Sequence, residues 1–162
     1  MLSGCLASDP PTYGKAEQTP PYLDLTAADP DVYHVLVESS QSSREINVPF
    51  RSEDAGEEIF AVLILNYDPN VAPGGQLQTF RLVPPGTFDQ DRKISLTWVV
   101  PEIVSQDTCQ QLTLLVDHRS AFDENTNRPK PSSEPAVATW WVNIDGTAPG
   151  ELSGCPNSTE TP

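Results

Sequence analysis

Lys93-Ile94-Ser95-Leu96-Thr97-Trp98-Val99-Val100 is the stretch that decides the fold. Ile94, Leu96, Trp98 and Val100 fall on one side of it and Lys93, Ser95 and Thr97 on the other, which is the two-residue period of a half-buried strand. Trp98 is therefore expected to point inward. Ile59-Phe60-Ala61-Val62-Leu63-Ile64-Leu65 is apolar at every position, as a central strand covered on both faces or lying under an extra segment would be. Working outward from these two runs, apolar stretches recur with turn residues between them. Seven strands are expected: Val32–Glu38, Arg44–Phe50, Ile59–Tyr67, Gln76–Val83, Lys93–Val100, Gln110–Asp117 and Val137–Ile144. The 17 prolines and 9 glycines lie almost wholly between the runs and bound each of them. No longer stretch carries a 3.6-residue period, so the expected fold class is all-β; Asp54-Ala55-Gly56-Glu57-Glu58 offers at most one helical turn.

Such a set of antiparallel strands around a buried tryptophan resembles the immunoglobulin-like and fibronectin type III-like β-sandwiches. The resemblance covers Val32 to Asp145 and implies a sandwich of about seven strands with extended N- and C-terminal tails. No early strand has a cysteine to pair with one on a late strand, so the inter-sheet bridge of antibody domains is not expected. Two further segments, Cys109-Gln110-Gln111-Leu112-Thr113-Leu114-Leu115-Val116 and Ala138-Thr139-Trp140-Trp141-Val142, are similar to those of myxobacterial envelope lipoproteins. In those proteins a Cys-containing strand with a Leu-Thr-Leu core precedes a polar loop and a Trp-rich strand. This resemblance implies a cell-envelope address and no activity.

Three regions are expected along the chain. Residues 1–31 read as a proline-rich tether whose Tyr22, Leu23 and Leu25 can add an edge strand, residues 32–146 as the sandwich, and residues 147–162 as a tail rich in Gly, Pro, Ser and Thr. Leu2-Ser3-Gly4-Cys5 resembles the lipobox of bacterial lipoproteins, which implies lipidation at Cys5, a natural precursor that begins further upstream, and a spacer leading away from the membrane. Leu6 follows that cysteine in place of an aspartate, so the resemblance favours the outer membrane. With Cys5 lipidated, Cys109 and Cys155 remain as an even set in an oxidising compartment, and a disulfide between them is expected. Pairing of the last two strands as a hairpin would bring the end of the second beside Cys109, and the chain from Ile144 to Cys155 is long enough to turn back, at most roughly 35–40 Å.

Nine Lys and Arg against 23 Asp and Glu give a net charge of −14, the wrong sign for neutralising phosphates. Nucleic acid is not an expected partner, and membrane contact is expected only through a lipid anchor. His34 and His118 lie on different strands without metal-ligand spacing, and the chain has neither a nucleophile elbow nor a phosphate-binding glycine loop. No catalytic residue, metal or cofactor is expected. Asp117, Asp123, Glu124, Asn125 and Asn127 crowd one region and carry oxygen ligands, but without EF-hand spacing they read as a solvated polar loop. Adjacent Trp140 and Trp141 must face opposite sides of a strand. Trp141 is expected outward, either covered by the Tyr22–Leu25 segment or free to bind. The loop from His118 to Pro135 is long enough to be functional or disordered, and the resemblance to immunoglobulin-like sandwiches implies that it contacts partners, with Phe122 as its apolar anchor and Arg119 beside it. The function expected is a non-catalytic structural or interaction module of a surface or periplasmic assembly, with protein partners in the cell envelope. The alternative is a carbohydrate-binding module using exposed aromatics.

Overall fold

A computed structural model describes residues 18–54, 56–71, 74–87, 90–102 and 109–145. Cys5 and Cys155 lie outside the described residues. Among the described residues eight strands form: β1 (Tyr22–Leu23), β2 (Leu36–Glu38), β3 (Ser43–Arg51), β4 (Ile59–Leu65), β5 (Gln76–Val83), β6 (Arg92–Val99), β7 (Gln110–His118) and β8 (Ala136–Ile144). They make two sheets, one in the order β1-β3-β6 and the other in the order β2-β8-β7-β4-β5. Every pairing is antiparallel except that of β2 with β8.

β4 and β5 pair within one sheet, as do β7 and β8, whereas the links from β3 to β4, β5 to β6 and β6 to β7 cross between sheets. That is the connectivity of an immunoglobulin-like sandwich, with β3 and β6 as its B and E strands opposite β4, β7 and β8 as C, F and G. The expected first strand shortens to Leu36–Glu38 because Asp31 Oδ1 accepts the Tyr33 N–H at 3.0 Å and bonds His34 Nδ1 at 2.8 Å, which bends the chain before β2. The eighth strand, β1, is built from the end of the proline-rich segment and pairs with the end of β3.

The core between the sheets follows the alternation. Ile46, Val48 and Phe50 of β3 and Ile94, Leu96 and Trp98 of β6 face Ile59, Ala61, Leu63 and Leu65 of β4, Leu112, Leu114 and Val116 of β7 and Trp140 and Val142 of β8. Both buried indoles satisfy their N–H groups: Trp98 Nε1 donates to Gln78 Oε1 at 3.1 Å and Trp140 Nε1 to the Pro30 carbonyl at 2.8 Å. Leu23 and Ala28 join this core, so the segment before β2 is part of the sandwich. Cys109 directly precedes β7 and is not a free thiol; its expected pairing with Cys155 falls outside the described residues.

Candidate interaction face

The other half of β4 explains why its sequence is apolar throughout. Phe60, Val62 and Ile64 point to the outer side of the five-stranded sheet and, with Leu115 and Phe122, form a second buried cluster. Across the sheet, Val137 of β8 lies opposite Leu115 of β7, Leu115 opposite Val62 of β4, and Val62 opposite Phe80 of β5. This row is apolar from one side to the other.

The chain after β7 covers only the middle of the row. A 3-10 turn at Arg119–Ala121 redirects it, and Phe122 drops edge-on against Phe60, with ring centres 5.1 Å apart at 70°. The Arg119 guanidinium lies over the same Phe60 ring, 4.4 Å from its centre. Asp123 then knots the loop: its Oδ1 accepts the backbone N–H of Asn125 at 3.0 Å and that of Thr126 at 2.8 Å, together with the Thr126 hydroxyl at 2.9 Å. These hydrogen bonds hold the Asp123 carboxyl below its ordinary value of 3.8, those from Thr126 foremost. Two cations fasten the far side. Lys130 Nζ donates to the Ser120 carbonyl at 2.8 Å, and Arg128 donates to the carbonyls of Gly74 and Gly75 at 3.0 and 2.6 Å. Gly75 has a φ of 90°, and a Cβ there would lie 2.5 Å from the Asn66 carbonyl oxygen, so this docking turn requires glycine.

Two expectations for the loop are therefore corrected. Phe122 is fully buried as the keystone of the second cluster, not a projecting anchor. Arg119 is half-buried and committed to the Phe60 ring. The reason is the same for both: the apolar outer side of β4 needs a cover, and the loop supplies it. Trp141 does sit on the opposite side from fully buried Trp140, half-buried and paired with Gln111. It is not covered by Tyr22–Leu25, because β1 belongs to the other sheet and turns Leu23 into the main core.

What the loop leaves open was not singled out from the sequence. Val137 is 49% exposed on one flank, and Phe80 and Leu82 are 51% and 45% exposed on the other. Phe80 still touches Phe60, with ring centres 5.6 Å apart. Within Gln76–Val83, Arg81 lies opposite Ala61 and Val83 opposite Ile59, on the core side, with a register irregularity between Leu63 and Ile64, and Arg81 Nη1 donates to the Ser95 carbonyl at 2.7 Å.

At the end of this face, His118 is buried between two carboxylates. Its Nδ1 lies 3.2 Å from Asp117 Oδ1 and its Nε2 3.5 Å from Asp54 Oδ2. Nε2 makes no hydrogen bond among the described residues, the Asp54 carboxylate standing just beyond reach. Among the described residues no group of three or more His, Cys, Asp or Glu side chains is placed to hold a metal ion.

No family model and no curated protein matches the chain. Solved structures similar to it include the CARDB domain of a Pyrococcus furiosus protein in complex with di-metal ions, at 17% identity over 83% of this chain and 99% of that one, with a TM-score of 0.40. The apo form of the Calx CBD1 domain matches at 16% identity over 80% and 99%, with a TM-score of 0.39. A complex of zinc 2-glycoprotein and prolactin inducible protein from human seminal plasma matches at 8% identity over 82% and 100%, with a TM-score of 0.38. The assignment of the fold rests on the strand order itself.

Proposed function

We propose that this domain is a non-catalytic interaction module of the bacterial cell envelope, anchored to the outer membrane through a lipid on Cys5, and that it docks a protein partner on the outer side of its five-stranded sheet. The exposed pair Phe80 and Leu82 carries this reading. They lie on β5, which among the described residues pairs with β4 alone and is the edge strand of its sheet. Proteins normally blunt such an edge with charge, proline or a covering segment, and an apolar edge left open is a contact surface. The net charge of −14 opposes association between copies, which reserves the surface for a different protein. Trp141 and Val137 extend the face on the side of β8.

A photo-crosslinking residue at position 82 in protein expressed in its native envelope tests the docking. Discrete adducts are expected, and they should vanish in Phe80→Glu while the protein stays folded, its melting temperature lowered only by the loss of the Phe60 contact. The same adducts with and without the substitution, or none at all, would remove this face from consideration. Intact-mass analysis of the native protein tests the anchor: an acylated N-terminal Cys5 is expected, and an unmodified one would end that part of the proposal.

A further inference from the structure

We propose that a groove on the opposite sheet, beside β1, binds a neutral saccharide. This site is separate from the face above and does not depend on it. β1 is only two residues long, so the edge it forms on the three-stranded sheet ends abruptly. Beside it lie two adjoining cavities of ≈ 660 and ≈ 460 Å³ that share Tyr22, Arg51 and Asp91. Their size is that of a small-ligand site.

Four features select the ligand. Tyr22 is 70% exposed, a flat amphipathic ring on which the apolar side of a sugar can stack. Arg51 Nη2 and Asp91 Oδ1 lie 3.3 Å apart with both side chains largely exposed, so donors and an acceptor stand next to each other. Vicinal hydroxyls, each able to give and to accept, match that pair. Ser52 and Arg92 each line one of the cavities, and each is at least nine-tenths buried with a polar atom lacking a partner: Ser52 Oγ and Arg92 Nη1. The Arg92 guanidinium also lies over the Phe50 ring, 4.8 Å from its centre, and its Nη2 donates to the Pro84 carbonyl. A ligand oxygen that reached either atom as the groove opened would satisfy it, whereas an apolar occupant would not.

Charge decides between acidic and neutral sugars. Asp24, Glu53 and Asp91 line the cavities against Arg51 and Arg92, and the whole chain carries −14. Hydrogen bonds from Thr26 hold the Asp24 carboxyl below its ordinary range, so it stays ionised. A uronate would enter against this field, whereas a neutral polyol has no net charge to be repelled.

Calorimetric titration of the full chain with neutral cello-, malto-, manno- and xylo-oligosaccharides of four to six units tests the proposal. At least one series is expected to bind, with amide shifts confined to Tyr22, Arg51, Ser52 and Asp91. Tyr22→Ala and Asp91→Asn should each weaken binding by about tenfold or more, with melting temperature unchanged because both side chains are exposed. Phe80→Glu should leave this binding intact, which separates it from the partner face. No binding at millimolar sugar would overturn the proposal, as would affinity unaltered in Tyr22→Ala, tighter binding of polygalacturonate, or shifts in these residues elicited by extended peptides instead.

Discussion

Trp98, Trp140 and Phe122 are three fully buried aromatic rings with different legibility. The two indoles sit on strands, where a neighbour at every second position declares the buried side. Phe122 sits in a loop with no period, so nothing local tells a cover from a projecting anchor; the sign lay in β4, whose outer Phe60, Val62 and Ile64 demand burial by something. Replacing Trp98 by alanine should destabilise the fold by about 3–5 kcal/mol, and Phe122→Ala by a comparable amount. Trp141, half-buried on the outer side, should lose at most about 1 kcal/mol when truncated. Equilibrium urea unfolding of the three variants checks this ordering. A Phe122→Ala protein as stable as the parent would mean that the loop does not seal the second cluster, and an equal loss at Trp141 would mean that its ring is packed as deeply as that of Trp98.

Whole strands were more legible than the sides they present. β4, β6 and β7 form where the apolar runs placed them, because their burial is decided by their own residues. On β5 the sides depend on neighbours: Phe80 and Leu82 lie opposite outward Val62 and Phe60, and Arg81 reaches β6, so each is set by another strand. The Asn125–Thr126 turn of the loop after β7 is held by one carboxylate. Since folding lowers the Asp123 value below 3.8, the stabilisation it supplies is present above that pH and disappears as the pH falls through the lower, folded value. Hydrogen exchange at the Asn125 and Thr126 amides should therefore show protection at about pH 5 that declines in more acidic solution. Asp123→Ala should abolish that protection at every pH while leaving β4 and β7 protected. Retained protection in the variant would show that Arg128 and Lys130 hold the loop unaided.

At the scale of the molecule, the end of β8 lies beside the start of β7. Gln110 of β7 pairs with Val142 of β8, so Cys109 stands beside the exit of the last strand, and the chain leaves past Ile144 and Asp145. The Asp145 side chain accepts the Ser40 N–H at 2.8 Å, which secures the first residue after β8. Beyond it, the nearest covalent means of fastening the tail is Cys155. A Cys109–Cys155 bridge would close a loop of about 45 residues and, in the chain-entropy account, stabilise the domain by roughly 4 kcal/mol before native strain is subtracted. Lipidation and this bridge are coupled, because a thioether on Cys5 removes the third thiol and leaves a single possible pairing. Peptide mapping of the envelope-derived protein without reduction should recover one Cys109–Cys155 peptide alongside an acylated Cys5 peptide. Cys155→Ser should lower the unfolding free energy by up to the same roughly 4 kcal/mol. A Cys5–Cys109 peptide would refute both the bridge and the anchor at once, whereas an acylated Cys5 with a reduced Cys155 would refute the bridge alone.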